Sequence, residues 1–168
     1  MQELRRLKRA WDQTLEGELL QRWLQWKNDL PLLTNVNVPR CYFSQLDHEG
    51  ATLQLHQFCD ASEVGYGTAT YLRITYSDGT VECAFVIGKS RNAPIKTVSI
   101  SRLELQGVLL AARVDLAERK ELNFDFQQVV SWTDSMIVLN YIHNENSRFQ
   151  TYVANRVGEI RDHTSPQQ

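Results

Sequence analysis

The stretch LQLHQFCDASEVGYG, residues 53–67, decides the fold class of this chain. Up to Asp60, two sets of side chains alternate, as in a β-strand whose two faces differ. One set is Leu53, Leu55, Gln57 and Cys59, and the other is Gln54, His56 and Phe58. Gly65 and Gly67 follow and indicate a turn. The pattern therefore predicts a strand over residues 51–60 that ends at an aspartate, after which the chain folds back.

Two more strand-like runs follow, at residues 65–76 and 81–90. The residues between them include Asp78-Gly79, and an Asp-Gly pair between alternating runs is a strong signal for a hairpin. Three consecutive strands joined by short turns form an antiparallel meander. The middle of the chain is therefore predicted to fold as three neighbouring strands of one sheet.

The stretch SRLELQGVLLAAR, residues 101–113, begins an apolar helix that we expect to run to about residue 119. Its interior is apolar on nearly every side, which is typical of a helix that is buried on more than one face. Glu104 lies in the first turns of this helix and is expected to point into a half-buried place. A structural alternative is a capping box, in which Ser101 and Glu104 satisfy backbone N–H groups.

The stretch VVSWTDSMIVL, residues 129–139, predicts a fourth strand, then Asp134, then a further helix. Asp134 could serve only as the N-cap of that helix, because Asp is a favoured capping residue. Asp60 has a similar alternative, an Asx-turn at the end of its strand. Each alternative is credible alone, but three acids at successive element ends argue for a common role.

The order Asp60, Glu104, Asp134 is typical of metal-dependent nucleases. In-line cleavage of a phosphodiester needs charge stabilisation on both the attacking and the leaving oxygen, and two divalent cations roughly 3.5–4 Å apart can supply it. Hard cations such as Mg²⁺ prefer oxygen ligands. Three carboxylates distant in sequence converge only if their strands are neighbours and the helix crosses the sheet.

These residues also carry a family resemblance. From Trp23 to Pro166 the chain resembles the ribonuclease H segment of the polyprotein of BEL/Pao long-terminal-repeat retrotransposons, with the end of the connection that follows the reverse transcriptase. The matching stretches are VPR (38–40), FCDAS (58–62), SRLELQGVLLAARV (101–114), WTDSMIVLNYI (132–142) and RFQTYVANRVGEI (148–160).

The resemblance implies an α/β fold of the ribonuclease H-like type. It consists of a mixed sheet, in which a parallel strand joins the antiparallel three-strand meander, with flanking helices and a preceding helical connection segment. The implied domains are a connection segment at residues 1–40 and an RNase H-like domain at residues 41–168. The last helix of this region is expected at about residues 147–160.

The implied activity is endonucleolytic hydrolysis of the RNA strand of RNA/DNA hybrids, leaving a 5′-phosphate and a 3′-hydroxyl. Asp60, Glu104 and Asp134 would be the catalytic residues and the ligands of two Mg²⁺ ions, with Mn²⁺ as a possible substitute. The implied partners are the RNA/DNA hybrid and the reverse transcriptase domain of the same polyprotein.

The sequence also departs from the family. Ribonucleases H of this type carry a fourth carboxylate, which in this family follows the last strand in an Asn-Pro-Ala-Asp segment. Three later acids, Glu145, Glu159 and Asp162, do not lie in that context. We therefore expect a domain without its C-terminal strand and helix, as in a fragment, a truncated gene product or a decayed element.

Two alternatives to an active nuclease stay open. An inactive RNase H-like remnant could keep a binding or structural role. A Pao-type aspartic peptidase is a weaker alternative, since Asp60-Ala61-Ser62 has a distant likeness to an Asp-Thr-Gly triplet but lacks its glycine.

Basic residues concentrate before the central helix, in a stretch without an acid between Glu82 and Glu104. The candidates for nucleic-acid binding are Lys89, Arg91, Lys96 and Arg102. Phosphate contacts from such residues position a duplex without reading its sequence. The alternative is a solvated strand edge whose lysines discourage aggregation.

Composition fits a soluble globular protein of 168 residues with a net charge of −2, which argues against a protein that coats nucleic acid by bulk charge. The three cysteines have no CxxC spacing, and no apolar run approaches the ~20 residues of a membrane span. We expect an intracellular protein, most simply in a cytoplasmic replication particle. The N-terminal segment has helical spacing of leucines and tryptophans from Leu4 to Leu30.

Overall fold

A single β-sheet organises the larger of the two structural units of this chain. The computed structural model describes residues 2–44, 49–144, 146 and 148–165. It divides the chain into two units, Met1–Arg40 and Cys41–Gln168. In the second unit the elements are β1 (Thr52–Ala61), β2 (Gly65–Thr75), β3 (Val81–Asn92), α3 (Ile100–Leu122), β4 (Gln128–Trp132), α4 (Met136–His143) and α5 (Thr151–His163).

The strands form a four-stranded mixed sheet in the order β3-β2-β1-β4. The pairs β1–β2 and β2–β3 are antiparallel, whereas β1 and β4 run parallel. This confirms the predicted meander with one added parallel strand. Gly79 makes the second hairpin possible, because its φ of +86° lies in a region that side-chain-bearing residues rarely adopt.

Helix α3 packs against β1 and β2 on one side and against α4 and α5 on the other. Ten residues of this helix are buried, among them Leu105, Val108 and Ala112. This agrees with the predicted burial of the helix on more than one face. The helix starts one residue earlier and ends three residues later than expected. Asn123 ends it in the left-handed conformation, a common helix terminus.

The two faces of the sheet differ in chemistry. Alternate residues of β1 and β2, such as Leu55, Cys59 and Leu72, are buried. The other face presents a row of exposed rings, one from each strand, with centroids of neighbouring rings 5.6 to 6.1 Å apart. These rings belong to Phe85, Tyr71, Phe58 and Trp132.

Helix α3 also carries two buried carboxyl groups, one of which meets the sheet. The Glu118 carboxylate accepts hydrogen bonds from the Gln57 amide at 3.0 Å and from the Thr70 hydroxyl at 3.1 Å. One turn earlier, the fully buried Asp115 pairs with Arg119 at 2.6 Å. Burial raises the pKa of Glu118 to about 7, against the lowering effect of the two hydrogen bonds.

The first unit, described by itself, contains α1 (Gln2–Arg6), α2 (Gly17–Asp29) and a 3₁₀ helix at Leu30–Asn35. The expectation of one helical pattern from Leu4 to Leu30 is wrong, because residues 7–16 are not helical. Positive φ angles occur in this break at Lys8 and at Gly17, the first residue of α2. Trp23 and Trp26 stack on α2 with centroids 4.9 Å apart.

Glu118 predicts a specific pH dependence of stability. Between its ordinary pKa of 4.5 and about 7, the unfolded chain has released the proton that the folded chain still holds. Unfolding therefore releases a proton in this window, so this group's contribution to the free energy of unfolding falls as pH rises and levels off above about 7. We expect Glu118→Gln to remove this fall.

Urea denaturation at a series of pH values measures the effect. The difference between wild type and Glu118→Gln isolates Glu118 from His56, whose pKa burial lowers. Glu121→Gln, an exposed change on the same helix, serves as the control and should follow wild type. Identical pH profiles for Glu118→Gln and wild type would contradict the prediction.

Candidate functional site

Two of the three candidate carboxylates lie at the carboxyl ends of adjacent strands. In the parallel pairing of β1 and β4, Phe58 lies opposite Trp132. Asp60 and Asp134 each follow two residues later, so both occur at the same end of this strand pair. Both are exposed. The shared end is a direct consequence of the parallel direction of the two strands.

The third carboxylate, Glu104, approaches this end from α3. It is half-buried and accepts a hydrogen bond of 2.5 Å from the Ser135 hydroxyl. Ser135 is itself buried and is the N-cap of α4, where its oxygen also accepts from the Val138 N–H at 3.4 Å. Glu104 is thereby tied to the residue that directly follows Asp134.

Helix α3 comes very close to the backbone of β1 near Asp60. A β-carbon added at Gly107 would lie 3.3 Å from the Asp60 carbonyl oxygen, so glycine permits this approach. Gly107 is three residues after Glu104, and residues at this spacing share one side of a helix. The side of α3 that carries Glu104 therefore meets β1 at its end.

Cys59, which directly precedes Asp60, carries a buried thiol beside this strand end. Burial is the main reason that the pKa of its thiol rises to about 11, and the charges of Asp134 and Asp60 add to the rise. The thiol stays protonated at neutral pH and donates to the Trp132 carbonyl at 3.3 Å.

The structure excludes the capping alternatives. Ser135, rather than Asp134, caps α4, so the N-cap interpretation of Asp134 is wrong. The capping box is also wrong, because α3 has Ser99 as its N-cap and the Glu104 carboxylate accepts from Ser135.

The Asx-turn interpretation of Asp60 is wrong as well. Its carboxylate accepts from the next N–H, that of Ala61, at 2.6 Å, whereas the Ser62 N–H donates to Gly65. Strand β1 continues one residue past Asp60 rather than turning there.

The donor chemistry of Asp60, Glu104 and Asp134 fits a hard divalent cation, since all three offer carboxylate oxygens. The hydrogen bond from the Ala61 N–H uses one carboxylate oxygen of Asp60, and that from the Ser135 hydroxyl uses one of Glu104. Within the part of the chain that the structure describes, no group of three His, Cys, Asp or Glu side chains is arranged to hold a metal ion. The ligand set therefore stays a prediction.

The four basic candidates do not lie together. Lys89 and Arg91 line an open depression that also includes Asp60 and Phe58, and the small residues Gly65 and Gly67 belong to its wall. Lys96 is exposed between β3 and α3. Arg102 lies with its guanidinium over the ring of Tyr152 on α5, 4.8 Å from the ring centroid.

The later acids differ in their surroundings. Glu159 on α5 forms an ion pair of 2.6 Å with Arg113, which lowers its pKa. Asp162 is exposed on the same helix, and Glu145 lies outside the described residues. The last helix begins at Thr151 rather than near residue 147.

Sequence reasoning missed two polar residues of this region. Ser135 was not identified, although a serine directly before an apolar helix is a capping signal. Glu118 was not identified either, and periodicity alone gives no sign that its carboxyl is buried.

A profile described as "Pao retrotransposon-like RNaseH-like domain" matches residues 1–135, which is most of the chain. This chain belongs to that family. The strand order of the sheet agrees with the predicted RNase H-like fold, and the family assignment agrees with the resemblance seen in the sequence.

Solved structures with a related fold include three ribonucleases H. RNase H1 from the halophilic archaeon Halobacterium salinarum NRC-1 is 13% identical, with 65% of this chain and 75% of that chain covered and a TM-score of 0.41. The N-terminal RNase H domain of a Mycobacterium tuberculosis protein, solved as a fusion with maltose binding protein, is 9% identical, with 68% and 76% covered and a TM-score of 0.44.

The third, LC11-RNase H1 in complex with an RNA/DNA hybrid, is 9% identical, with 66% and 75% covered and a TM-score of 0.41. These likenesses are too distant to bear on the activity of this chain. A search of curated protein sequences found no match. Among the described residues, no helix has the length and apolar character needed to cross a membrane.

The link between Glu104 and Ser135 predicts a measurable coupling. We expect Ser135→Ala to lower the free energy of unfolding by about 2 kcal/mol, because it removes both an N-cap and a hydrogen bond to a carboxylate. Ser135→Thr keeps a hydroxyl and should lose less. In a Glu104→Ala background the same Ser135→Ala change should cost clearly less.

Chemical denaturation of the two single variants and the double variant measures this coupling energy. Equal effects of Ser135→Ala in both backgrounds would mean that the hydroxyl acts only as a helix cap.

Proposed function

We propose that this chain is a ribonuclease H-type endonuclease domain of a retrotransposon polyprotein, which hydrolyses the RNA strand of RNA/DNA hybrids. The observation that supports it most is the common end of β1 and β4, where Asp60 and Asp134 follow paired residues. The hydrogen bond between Glu104 and Ser135 adds the third acid to the same region. Family membership agrees with this chemistry.

In this proposal Asp60, Glu104 and Asp134 hold Mg²⁺, with Mn²⁺ as a possible substitute. Two such ions, when bound, stabilise the attacking and leaving oxygens of an in-line displacement. Ser135 orients the Glu104 carboxylate through its hydroxyl. Backbone pairing in the sheet fixes Asp60 and also Trp132, two residues before Asp134. These carboxylates would therefore need little reorganisation to bind a metal ion.

The basic residues of the depression serve the substrate. Lys89 and Arg91 line the same depression as Asp60, which suits contacts with phosphate groups near the scissile bond. Lys96, which is exposed between β3 and α3, stays a candidate for a further phosphate contact. Contacts of this kind recognise the shape of a hybrid duplex rather than its base sequence.

The proposal extends to the first unit. Residues 1–40 would be the connection segment, and residues 41–168 the RNase H-like domain. Helix α2 buries none of its described side chains, and its exposed Trp23 and Trp26 suit packing against the reverse transcriptase domain of the same polyprotein.

Cleavage of a labelled RNA/DNA hybrid tests the proposal. We expect cutting in Mg²⁺ or Mn²⁺ that chelator abolishes, and a loss of at least ~100-fold in Asp60→Asn because a ligand charge is removed. Asp125→Asn, an exposed change in the loop after α3, is the matched control and should cut like wild type. Equal cutting by Asp60→Asn and Asp125→Asn would refute the assignment.

A result without cutting has its own meaning. If the folded chain binds the hybrid but does not cut it in either metal, the protein is an RNase H-like remnant with a binding role. Peptide cleavage that is insensitive to chelator but is blocked by an inhibitor of aspartic peptidases would instead favour the peptidase alternative.

A further inference from the structure

The aromatic row crosses the face of the sheet that points away from α3. Gln57 and Thr70 reach α3 through their hydrogen bonds to Glu118, so Phe58 and Tyr71, their neighbours in sequence, point to the other side. Within the described part of the chain, the four rings of the row are 37 to 50% exposed, Trp132 and Phe58 the most. A large aromatic surface therefore faces solvent.

Contacts within the row hold its rings in place. The planes of Phe58 and Trp132 are parallel to within 10°. Tyr71 stands edge-on between Phe58 and Phe85, at interplanar angles of 75 and 65°. The indole N–H of Trp132 donates to Nδ1 of His56 at 3.1 Å, which fixes the orientation of the indole ring. Rings that are already ordered lose little conformational entropy when a ligand stacks on them.

The spacing of the rings suits an unpaired, extended nucleic-acid strand. Successive bases of one strand in a duplex are about 3.4 Å apart along the axis. Neighbouring rings of the row lie 5.6 to 6.1 Å apart, which matches a strand that is more extended than in a duplex. Aromatic rings on a sheet surface bind unpaired bases by stacking, because every base has a flat π-face.

The charge beside the row suits a polyanion. Arg73 follows Tyr71 by two residues on β2 and therefore belongs to the same face. Its guanidinium donates to Gln54 at 2.9 Å and to Thr75 at 3.0 Å, both neutral side chains. The positive charge beside the rings is thus held by the sheet and is available to a phosphate group.

The two acids of the strands lie away from the middle of the row. Glu82 pairs with the buried Ile74 and belongs to the opposite face, where it accepts from the Tyr76 hydroxyl. Asp60 lies at the end of β1, in the open depression that Lys89 also lines. Phe58 belongs to both the row and this depression, so the two surfaces are continuous.

We propose that this face of the sheet binds single-stranded nucleic acid, with bases stacked on Phe58 and Trp132 and the backbone close to Arg73. It is a binding surface in addition to the duplex contacts of the proposed function. A single strand that leaves the depression at Phe58 passes directly onto the row. The activity of the chain as a nuclease is not required for this binding.

Fluorescence anisotropy of labelled oligo-dT and oligo-U, which form no duplex, tests the proposal in chelator at ~0.1 M salt. We expect Phe58→Leu and Trp132→Leu each to weaken binding at least ~5-fold, the effect of one lost base stack. Phe58→Tyr keeps a ring and should retain binding. Arg73→Gln should reduce the slope of log affinity against log salt by about 0.7, as for one phosphate contact of a single strand.

Trp26→Leu is the matched control, because Trp26 is 52% exposed and belongs to the first unit. It should bind like wild type. Stacking should also quench tryptophan emission when oligo-dT is added. Trp26→Leu should keep this quenching and Trp132→Leu should lose it. Circular dichroism checks that each variant is folded, and the replaced rings are exposed enough for leucine to be tolerated.

The proposal is overturned if the chain binds neither oligonucleotide, or if both leucine variants at Phe58 and Trp132 bind like Trp26→Leu. Self-association that Phe58→Leu abolishes, without single-strand binding, would identify a second copy as the occupant and also overturn it. Because binding is measured in chelator, the outcome is separate from the proposed function. A chain that never cuts can still bind single strands here, and a chain that cuts can lack this surface.

Discussion

Parallel pairing between β1 and β4 is the constraint on which the candidate site depends. Parallel strands cannot be joined by a tight turn and need a crossover, which here is built around α3. The same helix carries Glu104 and passes the end of β1 at Gly107. One topological requirement therefore brings a strand end, a second strand end and a helix side into the same region.

The polar side chains of α3 fall into two groups that differ in their burial. At its start, Glu104 is half-buried and meets a hydroxyl, while Arg102 turns to the Tyr152 ring. Further along, Asp115 and Glu118 are buried, and Glu118 accepts hydrogen bonds from two residues of the sheet. Buried carboxylates cost free energy unless they are paired or protonated. Asp115 is paired with Arg119, and the raised pKa of Glu118 favours its protonated form.

The strands of the meander could be predicted to within about two residues, because alternation and the Asp78-Gly79 turn are local signals. Capping was predicted less well. Asp134 and Ser135 are both good N-cap residues, and sequence gives no means to choose between neighbours. The break between α1 and α2 was also missed, since helical spacing continues through residues that adopt no helix. The contacts of Arg102 and Glu118 depend on which distant element packs beside them.

Gln57 has a consequence for strand register. It lies at the centre of the sheet, is fully buried, and donates to Glu118 on α3. A slip of β1 by one residue would turn every side chain of this strand to the opposite face. Gln57 would then face solvent, the Phe58 ring would be pushed beneath α3, and Glu118 would lose a donor. The buried amide thus favours the native strand register over misaligned ones. The cost is a lower stability than an all-apolar interface would have.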